Sequence, residues 1–121
     1  MPQVFGPYSK ATASNGLLFV AGQVGVDSSS SQASPVFSEQ MHTAVANLVQ
    51  VLEDSGLTLV AVKNVRVYLT DMNNFETMNK IFAEYFTGIA PSRECVAVKE
   101  LPPVANTPLL IELGAVAELR N

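Results

Sequence analysis

The chain of 121 residues contains one cysteine, one histidine and no tryptophan, and only seven of its residues are lysine or arginine. Each scarcity removes a class of function. A single thiol allows no internal disulfide and no cysteine-built metal site, which fits a reducing compartment. With His42 as the only imidazole, a zinc site built from the usual donors is short of ligands. Eleven acidic residues against seven basic ones leave a formal net charge of −4. The chain therefore lacks the positive footprint that phosphate backbones and anionic lipids require, and neither nucleic acid nor membrane is expected as a partner. No apolar run approaches the length of a membrane span. The opening "MPQVFGPYSK" has neither a secretory apolar core nor arginine-rich transit character. A cytoplasmic protein is expected; a mitochondrial one is compatible with the same residues, because a cleaved presequence leaves no trace.

Apolar residues are plentiful by contrast, at 48% of the chain against 15% charged. That is rich core material for a chain that has room for one domain, residues 1–121, and part of the apolar surface is expected to meet a second copy. Asn15-Gly16 separates two short runs of strand character, and both residue types tolerate positive φ, so residues 10–23 read as an opening hairpin. A serine-rich loop (27–34) leads to Phe37, Met41, Ala44, Val45, Leu48 and Leu52 at helical spacing, a helix over 36–55 with Pro35 near its first turn and Gly56 as its stop. "VRVYLT" (65–70) alternates as a strand. Asn73-Asn74-Phe75-Glu76 offers an N-cap to a second helix, whose Phe75, Met78, Phe82, Tyr85 and Phe86 line one face as far as Gly88. Residues 94–100 and 109–119 read as the last two strands, with the proline-broken loop 102–108 between them.

The order β-β-α-β-α-β-β implies an α+β fold, a mixed sheet with two helices on one face. Leu17–Ala21 and Leu109–Ala117 are nearly continuous apolar runs, so both of their faces want burial, and the helices cover only one. Self-association through the bare face follows as an expectation.

The stretch "APSREC" (90–95) sets an arginine at the doorway of a strand. Side chains at i and i+2 share a face about 6.5–7 Å apart, so Arg93 and Cys95 point one way and Glu94 the other. In the last strand Glu112 interrupts "LLIELGAV", where a buried carboxylate needs a cation or several donors. Arg93 is the only cation expected near a strand that could pair there, so the two are expected to share a cleft. Two readings stay open: a structural ion pair at a subunit interface, or a site in which the arginine fork grips a ligand carboxylate. Cys95 has no histidine base beside it, since His42 sits among polar neighbours on the first helix, which argues against a nucleophilic thiol.

These residues carry a resemblance. "GPYSKA", "LLFVAGQVGVD", "VRVYLTDMNNFETMNKIFAEYF", "PSRECVAVKELP" and "LLIELGAVA" follow in the order and spacing of the RidA/YjgF proteins, the reactive-intermediate deaminases, over almost the whole chain. The resemblance implies a chorismate-mutase-like α+β fold, a homotrimer whose sheets form a central barrel, and ligand sites between subunits. It makes Arg93 the grip on a substrate carboxylate and Glu112 the acid that positions or activates water. Cys95 contributes mainly backbone groups, while Tyr8, Gly22 and Asn79 fall where the family lines its pocket. Taken singly, Tyr8 reads rather as a packing residue, Gly22 as a strand glycine at a bulge and Asn79 as a solvent-facing helix residue; their joint occurrence with Arg93 and Glu112 reverses that preference in favour of a pocket. Three features depart from the family pattern: Glu94 replaces a small residue, the loop 102–108 is longer and richer in proline, and Gly114 replaces the second acid of the usual "IEIEA" run.

The implied reaction is hydrolytic deamination of reactive 2-enamino and 2-imino acids, such as 2-iminopropanoate and 2-iminobutanoate, to 2-keto acids and ammonium. It calls for no metal and no organic cofactor. The alternative is a non-catalytic trimer that binds small carboxylates or protein partners, in which Arg93 would serve equally well. Ribonuclease activity, attributed to relatives, finds no basic stripe here to support it.

Overall fold

The computed structural model describes residues 4–119. Residues 1–3, the start of the segment read above for a targeting signal, lie outside the described residues. Strands β1 (Ala11–Ser14) and β2 (Leu17–Val24) form an antiparallel hairpin, followed by helix α1 (Phe37–Asp54), strand β3 (Val62–Leu69), helix α2 (Phe75–Tyr85) and strands β4 (Ser92–Ala97) and β5 (Ile111–Glu118). The five strands form one sheet in the order β1-β2-β5-β3-β4, with β3 and β4 parallel and every other pair antiparallel. The mixed α+β architecture expected from the sequence is the one observed. Among the described residues no helix is long and apolar enough to cross a membrane.

The hairpin turns at Asn15 (φ 52°) and Gly16 (φ 78°), both in the left-handed region that Asn-Gly tolerates. Element ends differ from the expected ones by a few residues. The first helix starts at Phe37 with Val36 as its cap, so Pro35 precedes the first turn rather than opening it. Gly56, at φ 74°, stops that helix by donating its N–H to the Glu53 carbonyl at 2.9 Å. Before α2 the capping carboxylate is Asp71, which receives the Asn73 N–H at 2.9 Å, while Asn74 makes no side-chain cap. A short 3₁₀ turn at Met72–Asn74 carries the chain into the helix, which ends at Tyr85 rather than running to Gly88. The third strand begins three residues early, at Val62, after a 3₁₀ turn at Leu59–Ala61. The fourth strand spans Ser92–Ala97 rather than 94–100.

Both helices cover one face of the sheet. Met41, Ala44, Val45, Leu48 and Leu52 of α1 and Met78, Ile81 and Phe82 of α2 are buried in one cluster with Leu18, Val20, Val65, Val67, Leu69, Ile111, Leu113, Ala115 and Ala117. Each fully buried aliphatic side chain contributes about 1.5–3 kcal/mol relative to exposure, so this layer supplies most of the driving force. Among the described residues the other face carries no helix. Phe19 there is 44% exposed and Val96 45% exposed, with Val116 and Tyr68 half-buried between them.

The proline-rich loop is held by amide side chains. Gln40, fully buried on α1, donates to the carbonyls of Ser34 (2.9 Å) and Pro108 (3.2 Å) and accepts the Leu110 N–H at 2.7 Å. A Cβ at Gly25 would collide with the Gln40 backbone carbonyl, so the chain passes that close only as glycine. Asn106 and Ala33 exchange two hydrogen bonds, at 2.8 and 3.2 Å, which tie the loop to the start of α1.

Candidate functional site

Arg93 lies in β4, opposite Val65 of β3, and Cys95 lies opposite Val67. Val65 and Val67 belong to the core, so Arg93 and Cys95 share the helix-covered side of the sheet, as their spacing predicts, and Glu94 faces away. The Arg93 guanidinium carbon stands 4.9 Å from the ring centre of Phe82 and 5.8 Å from that of Phe75. Its Nη1 donates to Met78 Sδ at 3.6 Å. The apolar face of α2 therefore grips the cation by ring faces and a sulfur, all weak partners for its N–H fork. Asn79, half-buried, follows Met78 on the same helix. Burial pushes the Cys95 thiol up, against the downward pull of Arg93. A thiol held protonated this way is a poor nucleophile. His42 is exposed and bonds Tyr85 Oη at 2.6 Å, on the outer side of α1.

Glu112 occupies a different place. It lies in β5 opposite Tyr68 of β3 and Val24 of β2, on the open face of the sheet. Its carboxylate lies directly over Gly22, where a Cβ would collide with Oε2 and Cδ. Gly22 sits in a bulge: the β2–β5 register shifts between Val20 and Gln23. The bulge reading and the pocket reading of Gly22 thus describe one arrangement, a glycine whose missing side chain makes room for a carboxylate. Burial raises the Glu112 pKa and the charge of Arg66 lowers it, with burial the larger cause.

Two expectations require correction. Strand β4 does not pair with β5, because β3 lies between them. The cation facing Glu112 is accordingly Arg66 of β3, not Arg93. Arg93 and Glu112 stand on opposite faces of the sheet, so one chain does not close a cleft around both. The structure brings together Arg93, Cys95 and Met78 on one side, and Glu112 and Gly22 on the other, while Asn79 follows Met78 along α2. Tyr8, 47% exposed, lies in the segment before β1, with its hydroxyl receiving the Phe5 N–H at 3.2 Å, and joins neither group. Arg66 escaped the reading although "VRVYLT" placed it on the face away from Val65 and Val67; only the strand order reveals its neighbour.

The chain matches the family model described as endoribonuclease L-PSP over residues 1–119. It belongs to this family, the RidA/YjgF proteins. A RutC family protein of Aquifex aeolicus is 37% identical over 117 residues, covering 95% of this chain and 92% of that protein. The mouse protein named 2-iminobutanoate/2-iminopropanoate deaminase is 38% identical over 117 residues, covering 96% and 84%. Among solved structures, RidA from the Antarctic bacterium Psychrobacter superposes with a TM-score of 0.91 at 25% identity, over 98% of this chain and 93% of that one. The fold described above is the family's fold.

Proposed function

We propose that the protein is a cytoplasmic hydrolase of small 2-imino and 2-enamino acids, releasing 2-keto acids and ammonium, with sites shared between the subunits of a homotrimer. The observation that carries this reading is the setting of Arg93. Its guanidinium is held by Phe82, Phe75 and Met78, none of which engages the fork as a carboxylate would, so the fork is left for a planar anion. A 2-imino acid presents that carboxylate beside an electrophilic C=N carbon.

In the reaction, Arg93 fixes the carboxylate and so orients the C=N carbon. Water attacks that carbon, its oxygen forming the new C–O bond, while Glu112 takes the proton. The nitrogen, protonated in turn, leaves as ammonia when the C–N bond breaks and the carbonyl forms. A base whose pKa is raised by burial works closer to neutral pH than an exposed carboxylate does. Gly22 leaves room for the base and Cys95 lies beside the carboxylate grip, while Tyr8 and Asn79 join the pocket where a neighbouring chain completes it.

Because Arg93 and Glu112 occupy opposite faces of one sheet, the complete site needs two chains: Arg93 from one and Glu112 from its neighbour. The open face, with Phe19, Val96 and Val116, offers apolar surface for that assembly. The rival reading, a trimer that binds small carboxylates or protein partners without turnover, uses the same Arg93 and leaves Glu112 without a task.

The test generates 2-iminopropanoate or 2-iminobutanoate in situ and follows 2-keto acid release. The protein should accelerate release. Arg93→Lys should fail almost as badly as Arg93→Ala, since an ammonium offers charge without the fork, whereas Cys95→Ser should keep most of the rate. No acceleration by the unaltered protein leaves the binding module as the better description, and an inactive Cys95→Ser with an active Arg93→Lys would overturn the mechanism.

A further inference from the structure

Two glycines floor the open face beside Glu112, and each lies beneath a long charged side chain. The Glu112 carboxylate rests on Gly22, and the Arg66 guanidinium rests on Gly114, where a Cβ would collide with Nη2 and Cζ. Gly114 is the register partner of Arg66 across β3 and β5. On its other side it meets the β2 bulge, because Ala21 and Gly22 fall between the pairs Val20–Ala115 and Gln23–Leu113. Arg66 therefore reaches across β5 towards the same bulge over which Glu112 leans. Opposite charges converge on a patch with no Cβ beneath either of them.

Two residues flank Arg66 across the ladders of this face: Gly114 is its partner in β5 and Glu94 its partner in β4. An acid at position 114 would stand two residues from Glu112 on the same face and repel it. Here the same-face neighbour of Glu112 carries no side chain, and a guanidinium fills the gap.

We propose that Arg66 is a positioning residue for Glu112, setting its carboxylate across the β2 bulge from the space that Gly114 leaves open. The role rests on Glu112 being the base of the proposed hydrolysis. Other groups also face this patch. From β3 Tyr68 stands opposite Glu112; from β4 Glu94 stands on the far side of Arg66; ahead of β1 Lys10, whose carbonyl receives the Ala21 N–H at 2.9 Å, borders the bulge. The residues of β2 nearest Glu112, Gly22 and Val24, do not titrate. Arg66 is the cation whose charge opposes the upward push of burial on Glu112.

The test is a carboxyl-carbon NMR titration of Glu112 in the full chain, with its resonance identified by its loss in Glu112→Gln, so no substrate is needed. Arg66→Met keeps the stem and removes the charge, and should move the midpoint up. Arg66→Lys should bring it back towards the wild-type value. Gly114→Ala, which crowds the far end of the flexible Arg66 side chain, should also move it up, and serves as the probe if Arg66→Met does not fold. In imine hydrolysis, kcat/KM of Arg66→Met should fall several-fold on the acidic limb and little on the alkaline side. A midpoint unchanged in both Arg66→Met and Gly114→Ala overturns the proposal. If the wild type hydrolyses no imine while the midpoint still moves, the hydrolase reading fails and the link between Arg66 and Glu112 stands.

Discussion

The carboxylate of Glu112 lies across the backbone of Gly22, in space that any other residue at position 22 would fill with its own Cβ. The contact joins two strands at a bulge, where the local twist increases and the ladder is interrupted. A carboxylate resting on backbone takes its place from the shape of the strand as well as from the charge beside it, so small changes in that shape move it directly.

Gly22→Ala is therefore expected to displace the base without unfolding the chain. The colliding group is the far end of a flexible side chain, so the melting temperature should change little. The catalytic cost should be large, on the order of 10²-fold in kcat/KM, because a misplacement of about 1 Å in a reacting group costs that much. Measuring both quantities on one preparation checks the claim. A drop in melting temperature matched to the loss of rate would show the glycine to be structural only.

Glu112 also sets a pH dependence of stability whose sign is unusual for an acid. Its pKa is raised in the folded chain, so between the unfolded and folded values the native state binds more protons than the unfolded state. Stability then falls as pH rises through that window, since the burial cost is met only when the carboxyl ionises. Glu112→Gln removes the ionisation. The variant should melt at a higher temperature than the wild type at pH 8, and the difference should vanish below the ordinary carboxylate range. Thermal melts at several pH values test this, and a variant less stable at pH 8 than at pH 4 relative to wild type would refute it.

Much of the fold was legible because local chemistry and burial agreed. Asn15-Gly16 marked the hairpin through its tolerance of positive φ, and the 3.6-residue spacing of Met41, Val45, Leu48 and Leu52 marked the face of α1 that the sheet buries. The alternation around Arg93 gave its direction correctly. What alternation cannot give is strand order. Nothing in "VRVYLT" or "APSREC" announces that β3 inserts between β4 and β5, yet that insertion separates Arg93 from Glu112 and puts Arg66 in its place. The helix stripe of Phe75, Met78 and Phe82 was visible as core; that it also clasps a guanidinium depends on the parallel β3–β4 pairing, which is non-local. The end of α2 was carried too far, to Gly88 instead of Tyr85, and its start was given the wrong cap because Asp71, not the asparagines after it, captures the first free N–H.

The separation of Arg93 from Glu112 makes the shared site directly testable by mixing defective chains. Arg93→Ala should lose the carboxylate grip, and Glu112→Gln should lower imine hydrolysis by the ~10²–10⁴-fold typical of a missing general base. If each site takes Arg93 from one subunit and Glu112 from the next, a ring assembled from both variants contains some sites with neither defect. Random mixing in a cyclic trimer places an intact Arg93 against an intact Glu112 in about a quarter of the sites. Co-refolding the two inactive variants at equal concentration should thus restore about a quarter of wild-type activity, while each refolded alone stays inactive. If mixed oligomers form, as differently tagged chains would reveal, and no activity returns, then both residues act from one chain. That outcome would require Arg93 to leave the rings of Phe75 and Phe82 and pass the sheet edge, a rearrangement the packing around α2 opposes.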